Sequence, residues 1–185
     1  MAFKGTLSGY FRDGENDTEF CTDWKFLTKE EKTEIINFIK EIAEKEFITG
    51  KNKESWVDDN HRDIPGADGY RDENYWHYHC GPDWAGGRLK SMTKCLFFNP
   101  GGMASQQCIH YYPLENEENE IVIIGYSRNH IPFLLPDDPN NKFFPEQSNP
   151  PSGGFLLSVT TKSQTSLRLG FYRLCSFCNS GFSPS

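Results

Sequence analysis

The sequence predicts an α+β fold: an N-terminal helix packed on a small antiparallel β-sheet. Three observations carry that expectation. Thr28-Lys29-Glu30-Glu31 opens a run of apolar residues at helical spacing. Asn74–Cys80 alternates bulky apolar and polar side chains. Two further strand-like runs, 107–112 and 120–126, flank an acidic turn.

The helix has a sequence-level start signal. Thr28 can accept from the backbone N–H of Glu31 while the Glu31 carboxylate reaches back to Thr28. Ile35, Ile36, Ile39, Ile42, Ala43 and Phe47 follow on one side, and Gly50 is placed to cap the end. The spacing predicts a helix over about 29–48. The polar first 26 residues read as a short strand or an arm, and 52–73, dense in Asn, Asp, Gly and Pro, read as a loop.

In a strand successive side chains point to opposite faces. Trp76, Tyr78 and Cys80 therefore share one face, and Tyr75, His77 and His79 the other. Cys95–Phe98 reads as a short strand ended by Asn99-Pro100-Gly101-Gly102. Gln107–Tyr112 and Glu120–Tyr126, joined across Glu115–Asn119, read as an antiparallel hairpin whose second strand is apolar enough to be central.

The 185 residues fit one domain of ordinary size. Aromatics make up 15%, so the core is expected to rest on Phe, Tyr and Trp. The net charge of −7 counts against a broad nucleic-acid or anionic-membrane surface, because counterion release needs positive charge. No apolar run approaches the roughly 20 residues that span a bilayer. The N-terminus lacks the apolar core of a signal peptide. The chain reads as cytoplasmic, its six cysteines as free thiols. The expected organisation is a domain over 1–136, a Pro/Asn-rich linker over 137–151, and a tail over 152–185 without a single Asp or Glu. That tail carries +3 and the rest −10. It reads either as an edge hairpin or as a foreign, truncated reading frame.

Four histidines, His77, His79, His110 and His130, fall in strands or at strand ends. Imidazoles titrate near neutrality, so one can take a proton while another gives one. Cleavage of RNA through its own 2′-hydroxyl needs that pair and a cation for the charged phosphorane. Arg88, Lys90 and Arg128 are candidate cations, and Tyr112 and Tyr126 candidate base-stacking groups. The plainer reading of the same residues is an aromatic core with satisfied imidazoles at its edge. A metal site is a further possibility: His77 and His79 lie about 6.5–7 Å apart on one strand face, with His110 as a third ligand. No cupin-type Glu follows, and Cys175-x-x-Cys178 has no second pair, so neither a metal nor a cofactor is expected. Cys80 and Cys108 read as inert core thiols.

The order helix, loop, strand meander, with Tyr75-Trp76-His77-Tyr78-His79, the strand Cys108–Tyr112 and the run Ile121–His130, resembles the RelE/ParE toxin superfamily over about residues 28–135. Ribonuclease members of that family cut mRNA, often on the ribosome, without metal, and are neutralised by a small antitoxin. The resemblance implies catalytic roles for His110, Arg128 and His130, with Tyr112 beside them and His77 and His79 on the preceding strand. The chain departs from the family in its acidity and its longer tail. The sequence thus leads to a metal-independent endoribonuclease toxin, with RNA and an antitoxin as partners and no membrane. The alternatives are a non-catalytic acidic binder of the immunity, antitoxin-like or phage accessory kind, and a metal-dependent enzyme using His77 and His79.

Overall fold

In a computed structural model, residues 4–44, 50–83, 104–114 and 120–144 are described, all within one compact unit, Met1–Pro150. In chain order the elements are β1 (Lys4–Leu7), α1 (Gly9–Asp13), α2 (Lys29–Glu44), β2 (Asn52–Glu54), α3 (Asp68–Asp72), β3 (Trp76–His79), β4 (Cys108–Pro113) and β5 (Glu120–Ser127). The expected strand at Cys95–Phe98, the Cys175/Cys178 pair and the whole tail lie outside the described residues.

The capping box forms as read. Thr28 N–H donates to Glu31 Oε2 at 2.8 Å, and Glu31 N–H donates to Thr28 Oγ1 at 3.2 Å. Ile35, Phe38 and Ile42 are the buried stripe of α2. They meet Tyr78, Ile109, Tyr111, Ile121, Ile123 and Tyr126 in the main core. Phe38 stacks on Tyr78 with ring centroids 4.8 Å apart.

The fold is α+β, but its five-stranded sheet is mixed rather than antiparallel, in the order β1-β5-β4-β3-β2. The hairpin β4–β5 and the pairs β3–β4 and β2–β3 are antiparallel; β1 runs parallel to β5. A parallel pair needs a long crossover rather than a turn, and here most of the domain intervenes. β1 and β2 are too short to show an alternation in sequence. The stretch read as a loop over 52–73 thus holds both β2 and α3.

The opposite face of the sheet is covered by the short helix α3 and by irregular chain. Ala67, Tyr70 and Phe144 form its centre, with Trp56, Tyr75, Phe133 and Phe143 packed around them. Tyr70 donates to the Leu134 carbonyl at 2.8 Å, and Asn141 Nδ2 donates to Tyr70 Oη at 2.7 Å. Residues 137–144, expected as linker, therefore belong to the domain: Asn141 and Phe144 are buried. Burial of these apolar rings outweighs the local Pro/Asn composition that suggested a linker. Among the described residues no helix is long and apolar enough to cross a membrane.

Gly125 lets this cover close. Opposite His110 in the ladder, it leaves room for the Phe143 ring, which a Cβ at position 125 would penetrate. Gly125→Ala is expected to destabilise the domain by about 1–3 kcal/mol through overpacking. Urea denaturation measures this. An unchanged midpoint would show that Phe143 does not seal the sheet there.

Candidate functional site

Strand register builds the site. Lys53 pairs with His77, His77 with His110, and His110 with Gly125. One step along, His79 pairs with Cys108 and Cys108 with Ser127. Because side chains repeat every second residue, both rows stand on the face turned away from α2. Four histidines distant in sequence thus meet. Ring centroids are 5.4 Å apart for His77–His79, 6.1 Å for His77–His110, 5.9 Å for His77–His130 and 4.7 Å for His79–His130.

All four imidazoles are buried, and each is oriented by a hydrogen bond. His79 Nδ1 lies 2.7 Å from the Ser105 carbonyl and His130 Nδ1 lies 2.8 Å from that of Gln106. Carbonyls only accept, so both Nδ1 atoms carry the proton and both Nε2 atoms keep a lone pair. The longer 3.4 Å approach of Ser105 N–H to His79 Nδ1 does not compete. His110 is the other tautomer. The Ser127 hydroxyl spends its hydrogen on the Phe20 carbonyl, so His110 Nε2–H donates to Ser127 Oγ at 2.7 Å. His77 Nδ1 meets Ser55 Oγ at 3.0 Å.

Burial dominates the electrostatics. It pulls His79 and His110 down to about 3, with the neighbouring imidazoles adding to the shift. His77 is held well below its ordinary value by burial and then by His79. His130 is lowered by burial, against the Gln106 hydrogen bond. These are neutral rings at pH 7. Burial also drives Cys108 well above the usual thiol range.

The cluster reaches solvent at one side through a half-open cavity of about 160 Å³ lined by Lys51, Lys53, Ser55, Asp59, His77 and His130, among others. Lys51 and Lys53 donate to the same Asp59 oxygen, at 2.7 and 3.1 Å. Burial lowers Lys53, opposed by Asp59. A turn holds Asp59 in place: Asp58 Oδ1 accepts from the backbone N–H groups of Asn60 and Arg62. The lysines were missed in the sequence because β2 was not recognised. With β2 assigned, the alternation Lys51, Lys53, Ser55 would have put them on the histidine face.

The other expected site residues fall elsewhere. Arg128 is committed to structure: its Nε donates to Glu31 Oε1 at 2.7 Å, Nη1 to Asp17 at 2.9 Å and Nη2 to the Phe26 carbonyl at 3.1 Å. Tyr126 pairs with Ile109 and is buried in the α2 core, on the wrong face to hold a base. Tyr112 lies against Tyr75 with centroids 6.0 Å apart, beside the aromatic cover. Arg88 and Lys90 lie outside the described residues. Cys80 is a core thiol as read, but Cys108 is not in that core: it shares the histidine face with His79.

Compared with protein-family models, curated proteins and solved structures, the chain has no match.

Arg128 tests the assignment of roles. Burial raises Glu31, but its bonds with Arg128 and Thr28 outweigh that and leave it below its ordinary value of 4.5. A lowered carboxylate stabilises the fold above its unfolded pKa and loses that contribution as pH falls through the folded one. Arg128→Met is expected to cost about 1 kcal/mol at pH 7, the pair being partly exposed. The difference from wild type should shrink below roughly pH 4.5. Thermal melts across pH check this, and a pH-independent difference would exclude the ion pair as the cause.

Proposed function

We propose that this protein is an endoribonuclease that cleaves RNA at the cavity formed by β2, β3 and the segment after β5. One observation carries the reading. Two lysines and a neutral, oriented imidazole, His77, line a single opening. Cations favour an anionic substrate, and a low-dielectric wall strengthens their pull on developing charge.

The roles follow from position. In the tautomer whose Nδ1–H donates to Ser55 Oγ, His77 keeps a lone pair on Nε2 and offers that nitrogen as base. The RNA 2′-oxygen attacks phosphorus as its proton passes to that nitrogen. The P–O5′ bond breaks, and the leaving oxygen takes a proton from the Lys53 ammonium, whose acidity burial increases. Lys51 stabilises the phosphorane. Asp59, which bridges both lysines, is the internal anion that a phosphate displaces. The step needs no Arg128, so the cation moves from the residue expected in sequence to Lys51 and Lys53. The RelE/ParE resemblance supports RNA as the substrate and a small antitoxin as the partner that silences this opening. Ribosome-bound mRNA is the substrate form it favours.

A fluorescent RNA oligonucleotide should be cut to fragments ending in 2′,3′-cyclic phosphate. His77→Ala and Lys53→Met should each slow cleavage by about 100-fold or more, whereas Arg128→Met should leave the rate near wild type. A 2′-deoxy substitution at the cut position should block it. Cleavage of the deoxy substrate, or full activity in both cavity variants, would refute the mechanism.

A further inference from the structure

The nuclease chemistry leaves part of the cluster unused. His79, Cys108 and His130 each offer one donor atom, and the three atoms lie within 4.8 Å of one another. All three residues are buried. They come from three separate places: β3, β4 and the segment after β5.

A second observation is independent of that proximity. His79 Nε2 is fully buried and has no hydrogen-bond partner among the described residues. A buried acceptor without a partner costs about 1–3 kcal/mol, so native proteins rarely keep one without a reason. The tautomers supply the reason. Metal-binding imidazoles typically donate their second N–H to a carbonyl or carboxylate, which fixes the ring and leaves the other nitrogen for the ion. His79 and His130 both do this, through Ser105 and Gln106. The carbonyls belong to adjacent residues on one stretch of chain, so a single loop sets both rings.

We infer that His79 Nε2, His130 Nε2 and Cys108 Sγ form a binding site for a borderline-soft transition-metal ion of the zinc type. Two imidazoles and a thiolate match the donor preference of such ions, and oxygen-seeking magnesium or calcium is disfavoured. Zinc bonds of about 2.0–2.3 Å put tetrahedral donors roughly 3.3–3.5 Å apart, so donors that lie within 4.8 Å of one another draw together by about 1 Å on binding. On binding, the Cys108 thiol releases its proton to solvent, and the ion takes its place. Three protein ligands leave one position for an exogenous ligand, the pattern of reactive rather than purely structural zinc. His130 also lines the cavity, so that ligand enters from the lysine side. The expected pair His77 and His79 is thereby replaced by His79 and His130. The site stands independently of the RNA reading, which routes no step through it.

The test is binding of Co²⁺, a spectroscopic substitute for zinc, to the full chain purified with chelator. One Co²⁺ per chain is expected, with a near-ultraviolet sulfur-to-cobalt charge-transfer band that added Zn²⁺ abolishes. The band should vanish in Cys108→Ser and in His79→Ala, and persist in Cys80→Ala, whose thiol faces the α2 core. Zn²⁺ should raise the wild-type melting temperature, a readout that needs no variant to fold. Absence of the band in wild type, its survival in Cys108→Ser, or no thermal shift with excess Zn²⁺ would overturn the inference. RNA cleavage by chelator-treated protein is scored separately, so either idea can fail alone.

Discussion

The pairing of β3 with β4 sets His77 against His110 and His79 against Cys108, and the rest of the site depends on that register. A slip of one residue would exchange the faces of a strand. Tyr78 would leave Phe38, and the imidazoles would enter the helix-covered core, away from Ser55, Ser105, Gln106 and Ser127. The main core therefore enforces the site. Stacking of Phe38 on Tyr78, on one side of the sheet, is what holds the histidines together on the other.

The histidine face is polar yet covered, which raises the question of how it is tolerated. Phe20, Phe133 and Phe143 close over the rings. Burying an imidazole is acceptable when the ring is neutral and hydrogen-bonded. Ser55, Ser105, Gln106 and Ser127 supply those bonds. Four rings so close together repel protons from one another, and burial adds to this. The cluster consequently behaves as a set of neutral rings that present lone pairs.

Charge on this protein is local in its effect. The chain as a whole is acidic, yet the cavity beside the histidines is lined by Lys51 and Lys53 against Asp59. Arg128, by contrast, is surrounded by Glu31 and Asp17 and ties the end of β5 to the start of α2 and to the N-terminal segment. Its guanidinium also reaches the Phe26 carbonyl, so the same side chain braces the turn that leads into the helix. Net charge thus predicts neither the sign of the cavity nor the task of a particular cation.

The amino-acid sequence by itself determined the elements whose signals are local. The Thr28–Glu31 box and the isoleucine spacing specify α2, and strict alternation specifies β3 with its two faces. The acidic turn between apolar runs specifies the β4–β5 hairpin. Histidine convergence was also legible in part, because period-2 alternation put His77 and His79 on one side. Tertiary structure alone decided the parallel β1, the assignment of Lys51 and Lys53 to the site, the position of Cys108 beside His79, and the removal of Arg128 and Tyr126 from it. Each depends on contact between residues far apart in the chain. Strands of three or four residues carry too little pattern to announce such pairings, and whether a cation is free or already paired is settled only when the chain folds around it.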